Sequence, residues 1–247
     1  MRDTCRTLGL CDEVPKAPLF IDVLCDASVG SSCARDTLGK VMGELLQEVA
    51  ERPKSHVRLW MLQKTVADTG VLGEQVVPQH RRGALHARRA QAARFAASAT
   101  EYFATVAAPA FAAPPIRRST LAEAIAKVAL ADAGKFRREF IVVTDGREVS
   151  GLHDFECGCL PSEARFLSSL RKRALLTPGS LKNVSVHFAF MQSAPIPSRG
   201  CTVQIDRELR IRALWTAALS GAGASDLEMS SGLPRLENDD HAQQENP

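Results

Sequence analysis

Apolar residues recur along this chain in two rhythms: short near-continuous runs, and stripes spaced three and four residues apart. A continuous run suits a strand buried on both faces, and a stripe is the core-facing side of a helix. The first run, residues 18–25, predicts strand one, broken only by Asp22, which must find a partner or an edge. A helix follows over 33–51, with Leu38, Val41, Met42, Leu45, Leu46 and Val49 on one stripe and Pro53 as its stop. Residues 57–62 form a second run, and a weaker one at 71–77 ends at Pro78. The Ala-rich stretch 83–108 is helix-prone and is followed by a Pro/Ala linker over 109–115. A helix over 120–132, a strand over 140–144, a helix over 162–176 and a strand over 184–190 come next. The closing helix, 205–220, has Ile211, Leu214, Trp215, Ala218 and Leu219 on one face and Gly221 as its stop.

Strands that alternate with helices predict one α/β domain: a doubly wound, mostly parallel sheet with helices on both faces. Strands two and three are the exception, joined by a link short enough for an antiparallel hairpin. The expected organisation is an irregular arm over 1–17, the domain over 18–224, and an acidic, disordered tail over 225–247. That tail holds six acidic residues and one basic, so the body is more basic than the net charge of +3 indicates. No apolar run approaches the ~20 residues that cross a bilayer, and the first residues lack the layout of a secretory signal. A cytoplasmic protein without a membrane partner is expected. The seven cysteines are scattered and odd in number, which predicts reduced thiols, with Cys25 as a small core residue.

The candidate chemistry lies at strand ends. The first strand breaks into Asp26-Ala27-Ser28, the fourth into Thr144-Asp145-Gly146, and Ser119-Thr120 opens the helix between them. In an open parallel sheet the carboxyl ends of the strands carry ligands at the switch point. Asp26, Ser28, Thr120 and Asp145 are therefore expected in one crevice. Two carboxylates and two hydroxyls are hard oxygen donors suited to Mg²⁺ or Mn²⁺. Each piece also has a plainer reading: the hydroxyls as helix caps, Asp145-Gly146 as a turn.

In order and strand context these residues resemble a von Willebrand factor type A domain. That family has an opening strand ending in Asp-x-Ser-x-Ser, a Thr loop before a helix, and a later strand ending in Thr-Asp-Gly. The resemblance covers roughly residues 18–224. It implies a metal-ion-dependent adhesion site at which a partner protein supplies a carboxylate, and a non-enzymatic binding module. Intracellular bacterial members often work beside AAA+ ATPases, which implies a scaffold or regulator of an ATPase- or kinase-containing complex. One position departs: the second serine of the first motif is Gly30 here, with Ser31 displaced by one. Either Ser31 reaches the metal through a reshaped turn, or water replaces it, or the site has lost affinity.

Other constellations are weaker. His153, Cys157, Cys159 and Cys201 are zinc ligands by type, but their spacing matches no standard pattern. Arginine clusters at 81–82, 88–94, 117–118, 137–138 and 171–173 could meet phosphates, yet one Tyr and two Trp give base stacking little to work with. Solvated helix faces explain most of these arginines, so nucleic acid is not the expected partner. Two alternatives to the cation module stand. One is a metal-independent adaptor that binds through the 83–108 helix. The other is a hydrolase that uses the same carboxylates to activate water.

Overall fold

The computed structural model describes residues 16–28, 33–62, 67, 69–79, 85–114, 118–131, 136–155, 159–190 and 206–230. Its strands are β1 (Leu19–Asp26), β2 (His56–Leu62), β3 (Gly70–Val76), β4 (Arg137–Thr144), β5 (Val184–Phe190) and β6 (Asp226–Ser230). Its helices are α1 (Arg35–Val49), α2 (Leu85–Ala112), α3 (Leu121–Ala129), α4 (Glu163–Lys172) and α5 (Arg207–Gly221). The six strands form one sheet in the order β3-β2-β1-β4-β5-β6. All neighbours are parallel except the β2–β3 hairpin. The chain winds outward from β1 to β3, then returns to β4 on the other side of β1. The switch point therefore lies between the carboxyl ends of β1 and β4.

Every residue of β1 is buried, and alternation divides them between two cores. Leu19, Ile21, Val23 and Cys25 pack with α1 and α2, whereas Leu24 joins Phe140, Val142 and Trp215 among α3, α4 and α5. This is the doubly wound α/β fold that the sequence predicts. The expected stripes of α1 and α5 are buried in full. Among the described residues no helix is long and apolar enough to cross a membrane.

Four expectations need correction. The 109–115 linker starts too early, because α2 continues through Pro109 to Ala112. Pro109 lies in the last turn, where its missing N–H forfeits one bond, and Ala107, Ala110 and Phe111 keep that turn packed on the α1 core. The helix also crosses β3 closely: a Cβ on Gly73 would stand 2.8 Å from the Tyr102 ring.

The domain does not end at 224, because residues 226–230 of the expected tail form edge strand β6. Leu227 and Met229 alternate onto the core, and Glu228 meets His187, which also contacts Glu139 at 2.9 Å. Residues 231–247 and 1–15 lie outside the described residues. The α5 stop is also later than Gly221: Ala222 is the right-handed cap, and the left-handed residue is Gly223, at φ 89°. Finally, Cys25 is not a reduced thiol. It forms a disulfide with Cys33, with Cα atoms 5.7 Å apart. The sequence hides this because a separation of eight does not reveal that the chain doubles back between strand and helix.

Candidate functional site

Asp26 closes β1 at the switch point and is fully buried. Its Oδ1 accepts the Ser28 backbone N–H at 3.1 Å, which makes the first turn of the loop. Its Oδ2 accepts the hydroxyls of Ser119 at 3.1 Å and Thr144 at 2.9 Å. The hydroxyls thus tie β1 to the end of β4 and to the segment that opens α3. Next to Thr144, Asp145 accepts the Arg147 N–H at 3.0 Å and pairs with its side chain at 3.4 Å. Gly146 takes the left-handed conformation, at φ 74°, and its carbonyl accepts the Trp215 indole N–H at 2.7 Å. The Asp145 turn is therefore pinned to α5.

The electrostatics follow from burial. Desolvation raises the Asp26 carboxyl above its ordinary value, against the pull of its Ser28, Thr144 and Ser119 hydrogen bonds. Burial first, and the Asp26 charge second, push Asp145 up to about 7. A third acid joins them. Glu148 is fully buried, and burial pushes it up to about 8, with smaller contributions from Glu123 and Asp26. Its Oε2 accepts the Ala122 N–H at 2.8 Å, so it caps α3. Hydrogen bonds from the Ser150 side chain and the Ala122 N–H oppose that rise.

Thr120 is the N-cap of α3 by position, yet its side chain makes no capping bond. Its Oγ1 is buried and has no partner among the described residues. The plainer reading of Thr120 as a helix cap therefore does not hold, since Glu148 does that work. The other end of α3 is held too, by Arg138, which donates to the carbonyls of Ala129 at 2.9 Å and Val128.

Arg138 belongs to a second cluster four residues upstream of Asp26. Asp22 accepts Arg58 Nε at 2.8 Å, Arg138 Nε at 2.8 Å and Trp60 Nε1 at 2.7 Å. That answers what partners a buried Asp22 finds. It also corrects the reading of Arg138 as part of a solvated face, because it is 6% exposed.

The structure thus joins Asp26, Ser28, Ser119 and Thr144 by hydrogen bonds, couples Asp145 to Asp26 by charge, and sets Thr120 beside Ser119. Gly30 and Ser31 lie outside the described residues, as do Cys157 and Cys201. Of the zinc candidates that are described, Cys159 is an exposed free thiol. His153 packs against the Phe155 and Phe166 rings, and burial lowers its pKa. Among the described residues no group of three His, Cys, Asp or Glu is arranged to hold a metal ion.

Sequence reasoning missed Glu148, Ser119 and Thr144 as members of the site. A Thr ending a buried strand beside Asp145 was a usable signal. Glu148 left none, since its partner is a backbone N–H 26 residues away.

No family model matches the chain, and no curated protein does. One solved structure with some similarity is proximal thread matrix protein 1 from the mussel byssus. It is 11% identical, with a TM-score of 0.38, over 93% of this chain and 47% of that one. This chain thus spans about half the length of that protein. So slight a likeness carries no argument. The resemblance to type A domains stands on the motif residues alone.

Proposed function

We propose that this protein is a non-enzymatic interaction module that binds a protein partner through Mg²⁺ or Mn²⁺ held by Asp26, Ser28, Thr120 and Asp145. The observation that supports the reading is a pair of buried, mutually repelling carboxyls, together with a Thr120 hydroxyl at the start of α3 that is buried without a hydrogen-bond partner among the described residues. Burying ionised carboxylates is costly without a compensating charge, and a hard cation supplies that charge to oxygen donors. Ser119 and Thr144 hold Oδ2 of Asp26 and the Ser28 N–H holds Oδ1, which orients the carboxylate to meet the ion directly or through water. Thr120 and Ser28 offer neutral oxygens, and Asp145 a second charge. An acidic side chain from the partner would complete the shell.

The test is a thermal melt of the full chain in EDTA and then in Mg²⁺ or Mn²⁺, beside Asp26→Ala and Asp145→Ala. The reading expects stabilisation of about 2.7 kcal/mol at a hundredfold excess of ion over its Kd. Both variants should fold and lose that shift. A wild type indifferent to both ions would overturn the reading and move attention to α2 as a metal-independent docking surface.

A further inference from the structure

The loop that carries Asp26 and Ser28 is closed from behind by a covalent bond. Cys25 immediately precedes Asp26 on β1, and alternation sends its side chain to the opposite face, into the α1/α2 core. Cys33 lies two residues before α1 begins, and it enters the same core. Their disulfide joins the end of β1 to the start of α1 across residues 26–32. Both cysteines are buried, at 0% and 2% exposure.

We infer that the Cys25–Cys33 disulfide is a redox control on the cation site, the oxidised form binding the ion and the dithiol form binding it more weakly. The inference rests on the cation reading above and deepens it. The two ligands on the loop depend on the bond unequally. Asp26 has anchors outside the loop, the hydroxyls of Ser119 and Thr144. Ser28 sits on the loop itself, its N–H given to Asp26. Opening the bridge frees the return of the chain into α1, whose N-cap, Ala34, makes no side-chain capping bond. Ser28 is then the ligand displaced.

The exchange is ordinary thiol chemistry. A thiolate of a dithiol reductant attacks one sulfur and breaks the Cys25–Cys33 bond, forming a mixed disulfide with one cysteine and releasing the other. The reductant's second thiol resolves that intermediate. Two electrons and two protons pass to Cys25 and Cys33, and the reductant leaves as a disulfide. Burial of both cysteines slows the attack, so the state follows the compartment rather than brief fluctuations.

The experiment is a calorimetric Mn²⁺ titration of the full chain, air-oxidised and then phosphine-reduced with the phosphine removed. Asp26→Ala is the control, free thiols are counted by alkylation and mass, and circular dichroism confirms the fold. The expected result is affinity on the order of tenfold weaker after reduction, the size seen when support for a metal ligand is lost. Reoxidation should restore it, and Cys33→Ser should match the reduced form. If Cys33→Ser does not fold, the reduced wild type carries the comparison. Equal affinity in both redox states overturns the inference and leaves the cation reading intact. Alkylation of Cys25 in the air-oxidised protein also overturns it. No binding that depends on Asp26 in either state removes the cation reading, and the inference falls with it.

Discussion

Strand β1 carries two fully buried aspartates on one face, four residues apart, and the fold treats them in opposite ways. Asp22 is met by two guanidinium groups and an indole N–H, with Arg58 stacked 4.2 Å over the Phe20 ring. Asp26 is met by the Ser28 backbone N–H and by the side chains of Ser28, Ser119 and Thr144, and its charge reaches two further acids with raised pKa values. Hydroxyls satisfy lone pairs but do not neutralise charge. At Asp22 the fold contains the compensating cations. The hydrogen bonds described for Asp26 come from neutral donors, and the Arg147 guanidinium pairs with Asp145 at 3.4 Å. The first cluster balances its charge within the fold, and the second is where we propose that a cation binds.

Substitution should separate the two most sharply. Asp22→Ala leaves Arg58 and Arg138 buried beside each other and should cost roughly 3–5 kcal/mol by denaturant unfolding. Asp26→Asn removes a carboxyl that folding must desolvate, and metal-free stability should change by less than about 1 kcal/mol. Equal losses would erase the contrast.

Next in size is the bond behind Asp26. Closing so short a loop restricts the unfolded chain, so reduction of Cys25–Cys33 should lower metal-free stability by about 2–3 kcal/mol. Unfolding curves with and without reductant check this.

The acids sharpen the comparison through pH. Asp145 and Glu148 are raised from 3.8 and 4.5 to about 7 and about 8. The folded chain thus holds protons that the unfolded chain has lost. Their contribution is fully present below the unfolded values and is lost as pH rises through 7 and 8. Melts in EDTA should therefore fall over that window, and Asp145→Asn should flatten part of the slope. A rising curve would contradict the assignment.

The smallest effect concerns α3. Glu148→Ala removes the acceptor for Ala122 and should cost about 1 kcal/mol, as other lost caps do. Glu148→Gln keeps an acceptor oxygen and should recover most of it.

Much of this was legible in the sequence. The buried stripes of α1 and α5 follow from helical spacing, and the strand ends at Asp26 and at Thr144, just before Asp145, follow from apolar runs that stop at an acid. What was not legible depended on distant partners. Nothing local says that Arg58 and Arg138 converge on Asp22, or that Glu148 caps α3. Composition misled at β6, where acidic residues outweighed the alternation of Leu227 and Met229. Pro109 misled in the same way, because the packing of Ala107 and Phe111 overrides a residue that usually ends helices.

Cation binding at Asp26 is best probed by calorimetric titration with Mg²⁺ at pH 7, in buffers of different ionisation enthalpy. One ion per chain and net proton release are expected, because the ion displaces protons from the raised carboxyls. Both should vanish in Asp26→Ala. Absence of binding in the wild type, or binding that Asp26→Ala leaves unchanged, would contradict it.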